Sequence, residues 1–166
     1  MTTQQSRRAF GALALTAGGL ALASAPATAA PLDHDTSGDN NKAIVREAFA
    51  RQNSGGSFYD ILHDRVTWTV VNGRTYRSKK EFLDEGAAPI LTRLKTILRM
   101  TPSNLLAARD TVVAQFTGEA IALDGRPYRN DYCWVLTFRR GLVVRAHAYL
   151  DTVAIRELMD RVNPGS

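Results

Sequence analysis

Four stretches of the chain have apolar residues at the spacing of helices. In NNKAIVREAFARQ, which follows Asp39, they recur every three or four positions and predict one buried helical face. After a glycine break, SGGSFYDILHD allows a short second helix. SKKEFLDEGAAPILTRL begins with a capping box from Ser78 to Glu81 and is expected to bend at Pro89. Asp151 provides an N-cap for a last helix.

The remaining segments alternate between apolar and polar residues, which indicates strands. Val66, Trp68 and Val70 share one face of RVTWTVV, and TILRMTPSNLLAA is a strand region interrupted by Pro102. Three more strands follow: TVVAQFTGEAIAL, YRNDYCWVLTF and LVVRAHAYL. Their short links exclude parallel crossovers. The order of elements predicts an α+β domain, with N-terminal helices packed on a strongly curved antiparallel sheet and a short C-terminal helix.

The turn at Asp124-Gly125 sets the predicted alignment of two strands. The Asp-Gly pair is a strong signal for a two-residue hairpin turn, and this turn places Glu119 opposite Asn130. Because side chains alternate along a strand, one face then carries a mainly polar set. The members of this set are Gln115, Thr117, Glu119, Asn130, Tyr132 and Trp134. The opposite face carries Phe116, Cys133 and Val135, which form an apolar patch.

The next turn decides on which face His147 lies. A two-residue turn would place His147 beside Trp134, whereas a three-residue loop ending in Gly141 would place Ala146, Ala148 and Leu150 there. Glycine as the third loop residue favours the second arrangement. His147 is therefore predicted to lie outside the site.

Composition and charge narrow the choice of function. The chain has 166 residues, 45% of them hydrophobic, which is enough for one domain with a core. The net charge is +5, but the basic residues are dispersed and no nucleic-acid motif accompanies them, so we expect no nucleic-acid partner. Cys133 is the one cysteine, and the three histidines lack metal-ligand spacing. We therefore expect neither a metal nor a cofactor.

Residues 1–30 have the layout of a cleavable signal peptide. Arg7 and Arg8 precede a long Ala/Leu/Gly stretch that ends in a cleavage-like Ala27-Thr28-Ala29. SRRAF resembles the twin-arginine export motif, although the lysine that often follows is absent, which leaves the route open. The alternative is a membrane anchor, but the stretch is rich in small residues. We expect export without a membrane anchor after cleavage, a flexible lead over residues 31–39, and one domain over residues 40–163.

The strand residues resemble the SnoaL-like branch of the nuclear transport factor 2 (NTF2-like) superfamily, which includes ketosteroid isomerase-like proteins. The resemblance covers residues 40–162. It is carried by Gly118-Glu119-Ala120, Asp124-Gly125-Arg126-x-Tyr128, Asn130-x-Tyr132-x-Trp134, Gly141 and YLDT at 149–152. It implies a cone of helices against a curved sheet, a mostly apolar pocket on the concave face and a homodimer through the convex face, here around Phe116, Cys133 and Val135. Family members isomerise steroids or close polyketide rings by acid-base chemistry.

Two functions follow from this resemblance. In an isomerase or cyclase acting on a carbonyl compound, Glu119 would be the acid or base and Tyr132 the polarising donor. In the alternative, a non-catalytic domain binds a small apolar molecule, and Glu119 only hydrogen-bonds to Asn130 or Tyr132. In both cases the expected ligand-binding residues are Trp68, Val70, Gln115, Thr117, Asn130 and Trp134.

Epoxide hydrolysis is not expected. Limonene epoxide hydrolase resembles this fold and uses an Arg-x-Asp pair with a second Asp. Those positions here hold Gln115, Thr117 and Ala148. Ala148 also stands where related SnoaL-like sequences often carry Glu, which removes one candidate acid.

Overall fold

The computed structural model describes residues 36–164. The predicted signal peptide and residues 31–35 of the predicted lead lie outside the described residues. The first helix, α1 (Thr36–Asn53), begins four residues before the predicted domain boundary at residue 40. Residues 36–39 are therefore helical rather than a flexible lead, and Gly38 is buried. Among the described residues, no helix is both long and apolar enough to span a membrane.

Helical segments connect and cover the strands. A 3-10 helix (Phe58–Ile61) follows α1, and its backbone is capped by Ser57, whose Oγ accepts from Tyr59 N–H at 3.1 Å. Helix α2 (Lys79–Glu81) continues through a π-helical turn (Phe82–Ala87) into α3 (Ala88–Leu91), and α4 (Thr152–Arg161) is last. The predicted caps are confirmed: Ser78 Oγ accepts from Glu81 N–H at 3.0 Å, and Asp151 Oδ1 from Val153 N–H at 2.8 Å.

Within the described residues, six strands form one open, curved sheet in the order β2-β1-β6-β5-β4-β3. The strands are β1 (Leu62–Val70), β2 (Thr75–Tyr76), β3 (Arg99–Ala108), β4 (Thr111–Ile121), β5 (Pro127–Arg139) and β6 (Leu142–Leu150). The predicted α+β fold is confirmed. One pair departs from the expected antiparallel pattern, because β1 runs parallel to β6. The prediction considered only short links between consecutive strands, whereas β1 and β6 are separated by most of the domain.

The turn between β4 and β5 has three residues rather than the predicted two. Ala122 N–H donates to Arg126 O at 2.9 Å, which closes a loop over residues 123–125. A two-residue turn of type I′ needs positive φ at both central positions, but of the predicted pair only Gly125 has it, at 80°. Glu119 therefore pairs with Arg129, and Gly118 with Asn130. This shift of one residue turns one strand over relative to the other, compared with the prediction.

The turn between β5 and β6 has two residues rather than three. Arg140 and Gly141 have φ values of 52° and 78°, as a type I′ turn requires. An extra residue on β6 then shifts the register between Phe138 and Thr137. The shift restores the predicted faces, because Ala146 and Ala148 are buried on the inner face while His147 lies on the other. The prediction for His147 is thus confirmed, although the bulge lies in the strand and not in the turn.

The core lies between the inner face of the sheet and the helices. It is rich in aromatic rings that meet edge to face, and Trp134 contacts Phe58 at 5.1 Å and Phe116 at 4.6 Å between ring centroids. Such pairs favour one arrangement of the rings beyond their burial. On the outer face of β4 and β5, Gln115, Glu119 and Asp131 are exposed, and Cys133 and Val135 are half-buried.

Candidate functional site

A cavity of about 300 Å³ lies between the inner face of the sheet and the helical segments α2–α3 and α4. Strands contribute Trp68, Val70 and Trp134 to its wall, and the helices contribute residues such as Phe82 and Ile155. Trp68 stacks on Phe82, with ring centroids 4.2 Å apart. The wall is thus mainly aromatic and aliphatic.

The structure brings four of the predicted site residues to this cavity: Trp68, Val70, Tyr132 and Trp134. Asn130 lies on the same face of β5 and is buried, but it is not part of the cavity wall. That these residues contact a ligand stays a prediction.

The prediction that Glu119, Gln115 and Thr117 share this cavity is wrong. All three lie on the outer face of β4, because the three-residue turn shifts the register by one. Glu119 Oε1 accepts from an Arg129 guanidinium N–H at 2.8 Å, and the Glu119 side chain is 51% exposed. An exposed ion pair of this kind contributes little to stability.

Phe116 lies on the inner face rather than on the predicted outer face. It was predicted on the outer patch, but it is buried on the inner face and stacks on Tyr132 with ring centroids 4.7 Å apart. The inner position of β4 opposite Asn130 is Gly118. A Cβ there would lie 2.8 Å from the Tyr132 ring, so the glycine makes room for that ring.

Asn130 joins the sheet to the N-terminus of α4. Its Oδ1 accepts from Asp151 N–H at 2.9 Å, and its Nδ2 donates to Asp151 O at 2.9 Å and to the Tyr128 hydroxyl at 3.3 Å. Both protons of the amide are therefore used. Asn130 holds the helix that carries Ile155 over the cavity.

Several tyrosines are buried inside the domain, as are the side chains of Asn41, Gln52 and Asn130. The hydroxyl oxygens of Tyr128 and Tyr132 lie 3.0 Å apart, and Tyr59 lines the cavity nearby. Burial raises the pKa of Tyr59 and Tyr132 well above the ordinary value for a phenol, and it raises the pKa of Tyr128 as well. These hydroxyls therefore stay neutral at physiological pH, and one of the Tyr128 and Tyr132 hydroxyls donates its proton to the other.

Charged side chains occur only where the cavity meets solvent. Of the described wall residues, Arg74 and Glu85 carry charge, and both are about half exposed. They pair with each other, and Arg74 also pairs with Glu81 at 3.0 Å. The Arg74 guanidinium lies 5.2 Å from the Tyr76 ring centroid, a cation–π contact.

Tyr59 and Tyr128 belong to this region but were not predicted as site residues. The sequence contains a signal for each of them: Tyr59 lies in the predicted short helix, and Tyr128 alternates with Asn130 and Tyr132.

Within residues 36–164, no group of three His, Cys, Asp or Glu side chains is placed to hold a metal ion.

The sequence model of the SnoaL-like domain matches residues 41–146, so the chain belongs to the SnoaL-like domain family. This confirms the resemblance. Among curated proteins, none matches the chain.

Solved structures share the fold. TerC, co-crystallized with polyporic acid, has a TM-score of 0.61 at 24% identity, and the match covers 73% of this chain and 98% of that one. An NTF2-like protein from Burkholderia pseudomallei has a TM-score of 0.60 at 22% identity, covering 72% and 97%. A protein proposed to be a SnoaL-like polyketide cyclase, from a Jannaschia species, has a TM-score of 0.61 at 13% identity, covering 76% and 96%. At these identities the likeness shows the NTF2-like fold alone.

Proposed function

We propose that this chain binds one small, neutral and mainly apolar molecule in the cavity of its SnoaL-like domain. The observation that carries the proposal is the cavity itself, about 300 Å³ with an aromatic and aliphatic wall and buried tyrosine hydroxyls. Ligand sites are usually mostly apolar clefts of about this size or larger, with a few polar groups that fix orientation. Burial of an apolar ligand against this wall would provide most of the affinity.

The alternative, an isomerase or cyclase, has support from the cyclase-like neighbour and from Tyr132, which can donate to an oxyanion. Acid-base chemistry also needs a proton acceptor within hydrogen-bond reach of the substrate. Glu119 is on the outer face, and Glu85 is half exposed and paired with Arg74. The geometry therefore supports binding better than catalysis.

Tryptophan fluorescence tests the proposal directly. The chain has two tryptophans, Trp68 and Trp134, and both lie in the cavity wall. We expect steroid-sized and smaller apolar ketones to change the emission in a saturable way. Absence of binding across such a panel would refute the proposal.

A cavity-filling variant supplies the control. Ala148 is buried in the cavity wall, so Ala148→Leu should occupy part of the cavity and weaken binding at least about tenfold. Ala108→Leu makes the same change at an exposed position of β3 and should leave binding unchanged. Ile155→Phe fills the cavity from the helical side, which guards against misfolding of the first variant. Equal binding by all of these proteins would place the ligand elsewhere.

Turnover separates the two functions. If a ketosteroid or small enone is isomerised and Tyr132→Phe abolishes this activity, the enzyme alternative is correct. Binding without turnover supports the proposed function.

We further propose that the chain is exported and loses its leader, on the basis of the charged, apolar and small-residue pattern of residues 1–30. The intact mass of the native protein should correspond to a start near residue 30 or 31, and a full-length cytoplasmic chain would contradict this.

We also propose a homodimer through the outer face of the sheet. Cys133 and Val135 are half-buried on this face, and Leu106 is 59% exposed. Phe116, which is buried in the core, takes no part. Apolar groups left exposed together often mark interfaces. Sedimentation should show a dimer, and a monomer at high micromolar concentration would count against it.

A further inference from the structure

Tyr59 holds a fixed position on the cavity wall. Its backbone belongs to the 3-10 helix capped by Ser57, and its ring meets the Phe82 ring at 5.3 Å and the Trp68 ring at 6.2 Å between centroids. The residue is 8% exposed. The direction of its side chain is therefore set by packing on several sides.

The hydroxyl of Tyr59 differs from the other buried tyrosine hydroxyls. Tyr128 and Tyr132 pair with each other, and the Tyr76 hydroxyl donates to Glu85 O at 3.4 Å. Within the described part of the chain, the Tyr59 hydroxyl has no hydrogen-bond partner. Its oxygen is not among the buried side-chain atoms that lack a partner in this part of the chain, so it reaches open space. Tyr59 lines the cavity, where a bound molecule can accept a hydrogen bond from this hydroxyl.

The Tyr59 hydroxyl keeps its proton for donation to an acceptor on a ligand. Trp134 Nε1, a donor only, is the buried side-chain atom that lacks a partner among the described residues. The Trp134 and Tyr59 rings lie 6.4 Å apart between centroids. Of the two groups, the Tyr59 hydroxyl is the one open to a molecule in the cavity. A ligand with an accessible oxygen lone pair would complement at least the Tyr59 hydroxyl.

Charge restricts the kind of oxygen. The cation of the described wall, Arg74, is half exposed and engaged by Glu81 and Glu85. A carboxylate that entered as far as Tyr59 would lose its hydration without gaining a free counter-ion. A neutral carbonyl oxygen does not have this cost.

We infer that Tyr59 selects, for the binding function proposed above, neutral ligands that carry a carbonyl oxygen, by donating a hydrogen bond to that oxygen. The inference rests on the proposed function. It adds the residue that recognises the ligand and the chemical class of that ligand.

Three probes of one size test the inference: 2-acetylnaphthalene, 2-ethylnaphthalene and 2-naphthoate, titrated by calorimetry into the wild type and Tyr59→Phe. We expect the wild type to prefer the ketone to the hydrocarbon and to bind the carboxylate most weakly. Tyr59→Phe should weaken ketone binding about five- to tenfold and leave hydrocarbon binding unchanged, which corresponds to the loss of one hydrogen bond.

Tyr149→Phe is the matched control, since Tyr149 lies on the outer face and is 49% exposed. It should leave the ketone-to-hydrocarbon ratio as in the wild type. Because the ratio is measured within one protein, a general loss of folding in Tyr59→Phe does not alter it. If ketone and hydrocarbon bind and the ratio is the same in wild type and Tyr59→Phe, this inference is overturned and the proposed function stands. If no probe binds the wild type, both are overturned.

Discussion

Alkaline pH should destabilise this protein through two buried tyrosines. Tyr59 and Tyr132 are each 8% exposed, and burial raises the pKa of both well above the ordinary value. In the unfolded chain the same phenols ionise near pH 10. Above that pH the unfolded state loses protons that the folded state retains, so the free energy of unfolding falls as pH rises. Below it, the contribution of these residues is constant.

The size of the effect follows from linkage. A phenol that stays neutral in the folded state and has a pKa of about 10 when unfolded lowers the free energy of unfolding by about 1.4 kcal/mol at about pH 11. Tyr59 and Tyr132 together should therefore account for a loss of about 3 kcal/mol between about pH 8 and pH 11. For a domain of this size, such a loss is a large part of the total stability.

Urea unfolding at the two pH values measures this loss. Each of Tyr59→Phe and Tyr132→Phe should reduce the loss by about 1.4 kcal/mol, and the double variant by about 3 kcal/mol. The loss that remains includes the contribution of Tyr128, whose pKa burial also raises. In the folded protein, the absorbance change of phenolate formation up to about pH 11 should be the same for wild type and Tyr132→Phe. A smaller absorbance change in Tyr132→Phe would mean that this hydroxyl ionises in the folded state, and it would refute the description of a neutral donor.

Two further substitutions test the framework of the site. Asn130→Ala removes three hydrogen bonds and should lower the free energy of unfolding in urea by about 2 kcal/mol. Asn104→Ala removes one long hydrogen bond at an exposed position and should lower it by less than about 0.5 kcal/mol. Equal losses would contradict the role of Asn130. Gly118→Ala places a Cβ 2.8 Å from the Tyr132 ring and should cost about 1–3 kcal/mol. This cost should shrink in a Tyr132→Leu background, and an unchanged cost would locate the clash elsewhere.

Features with local causes could be predicted from the sequence. The caps at Ser78 and Asp151 depend on residues within one helical turn, and both have the expected side-chain hydrogen bonds. The Glu81 carboxylate of the predicted capping box accepts from Arg77 N–H rather than from Ser78 N–H. The α+β order of elements follows from periodicity, which is also local. The family resemblance added the curved sheet, and this too is confirmed.

The register of β4 and β5 was mispredicted because an Asp-Gly pair fits more than one loop. Gly125 has positive φ both in a two-residue type I′ turn and in a three-residue loop, and these loops differ by one residue in register. The alternation of apolar and polar residues within β4 predicts the observed faces, with Phe116 on the inner face and Gln115 and Glu119 on the outer face. Burial of one strand face specifies register more strongly than a turn signal does.

The cavity depends on contacts that no local pattern contains. Phe82 and Ile155 reach it from helical segments far apart in the chain, and Asn130 fixes one of those segments by bonding to Asp151. The π-helical turn from Phe82 to Ala87 precedes the expected bend at Pro89. The sequence could therefore indicate the residues of one sheet face, but not the shape that the helices close above them.

The buried polar groups of this domain differ in whether their hydrogen bonds are complete. Asn130 uses both amide protons within the chain and its oxygen accepts from Asp151, so it contributes to folding and has no donor left for a ligand. Tyr59 has a hydroxyl without a partner among the described residues, so its removal should leave stability nearly unchanged near neutral pH while altering the choice of ligand. Substitution of Asn130 should do the reverse and lower stability with little change in the ketone-to-hydrocarbon ratio. Measurements of stability and of ligand preference together thus distinguish Asn130, which positions α4, from Tyr59, which recognises the ligand in the cavity.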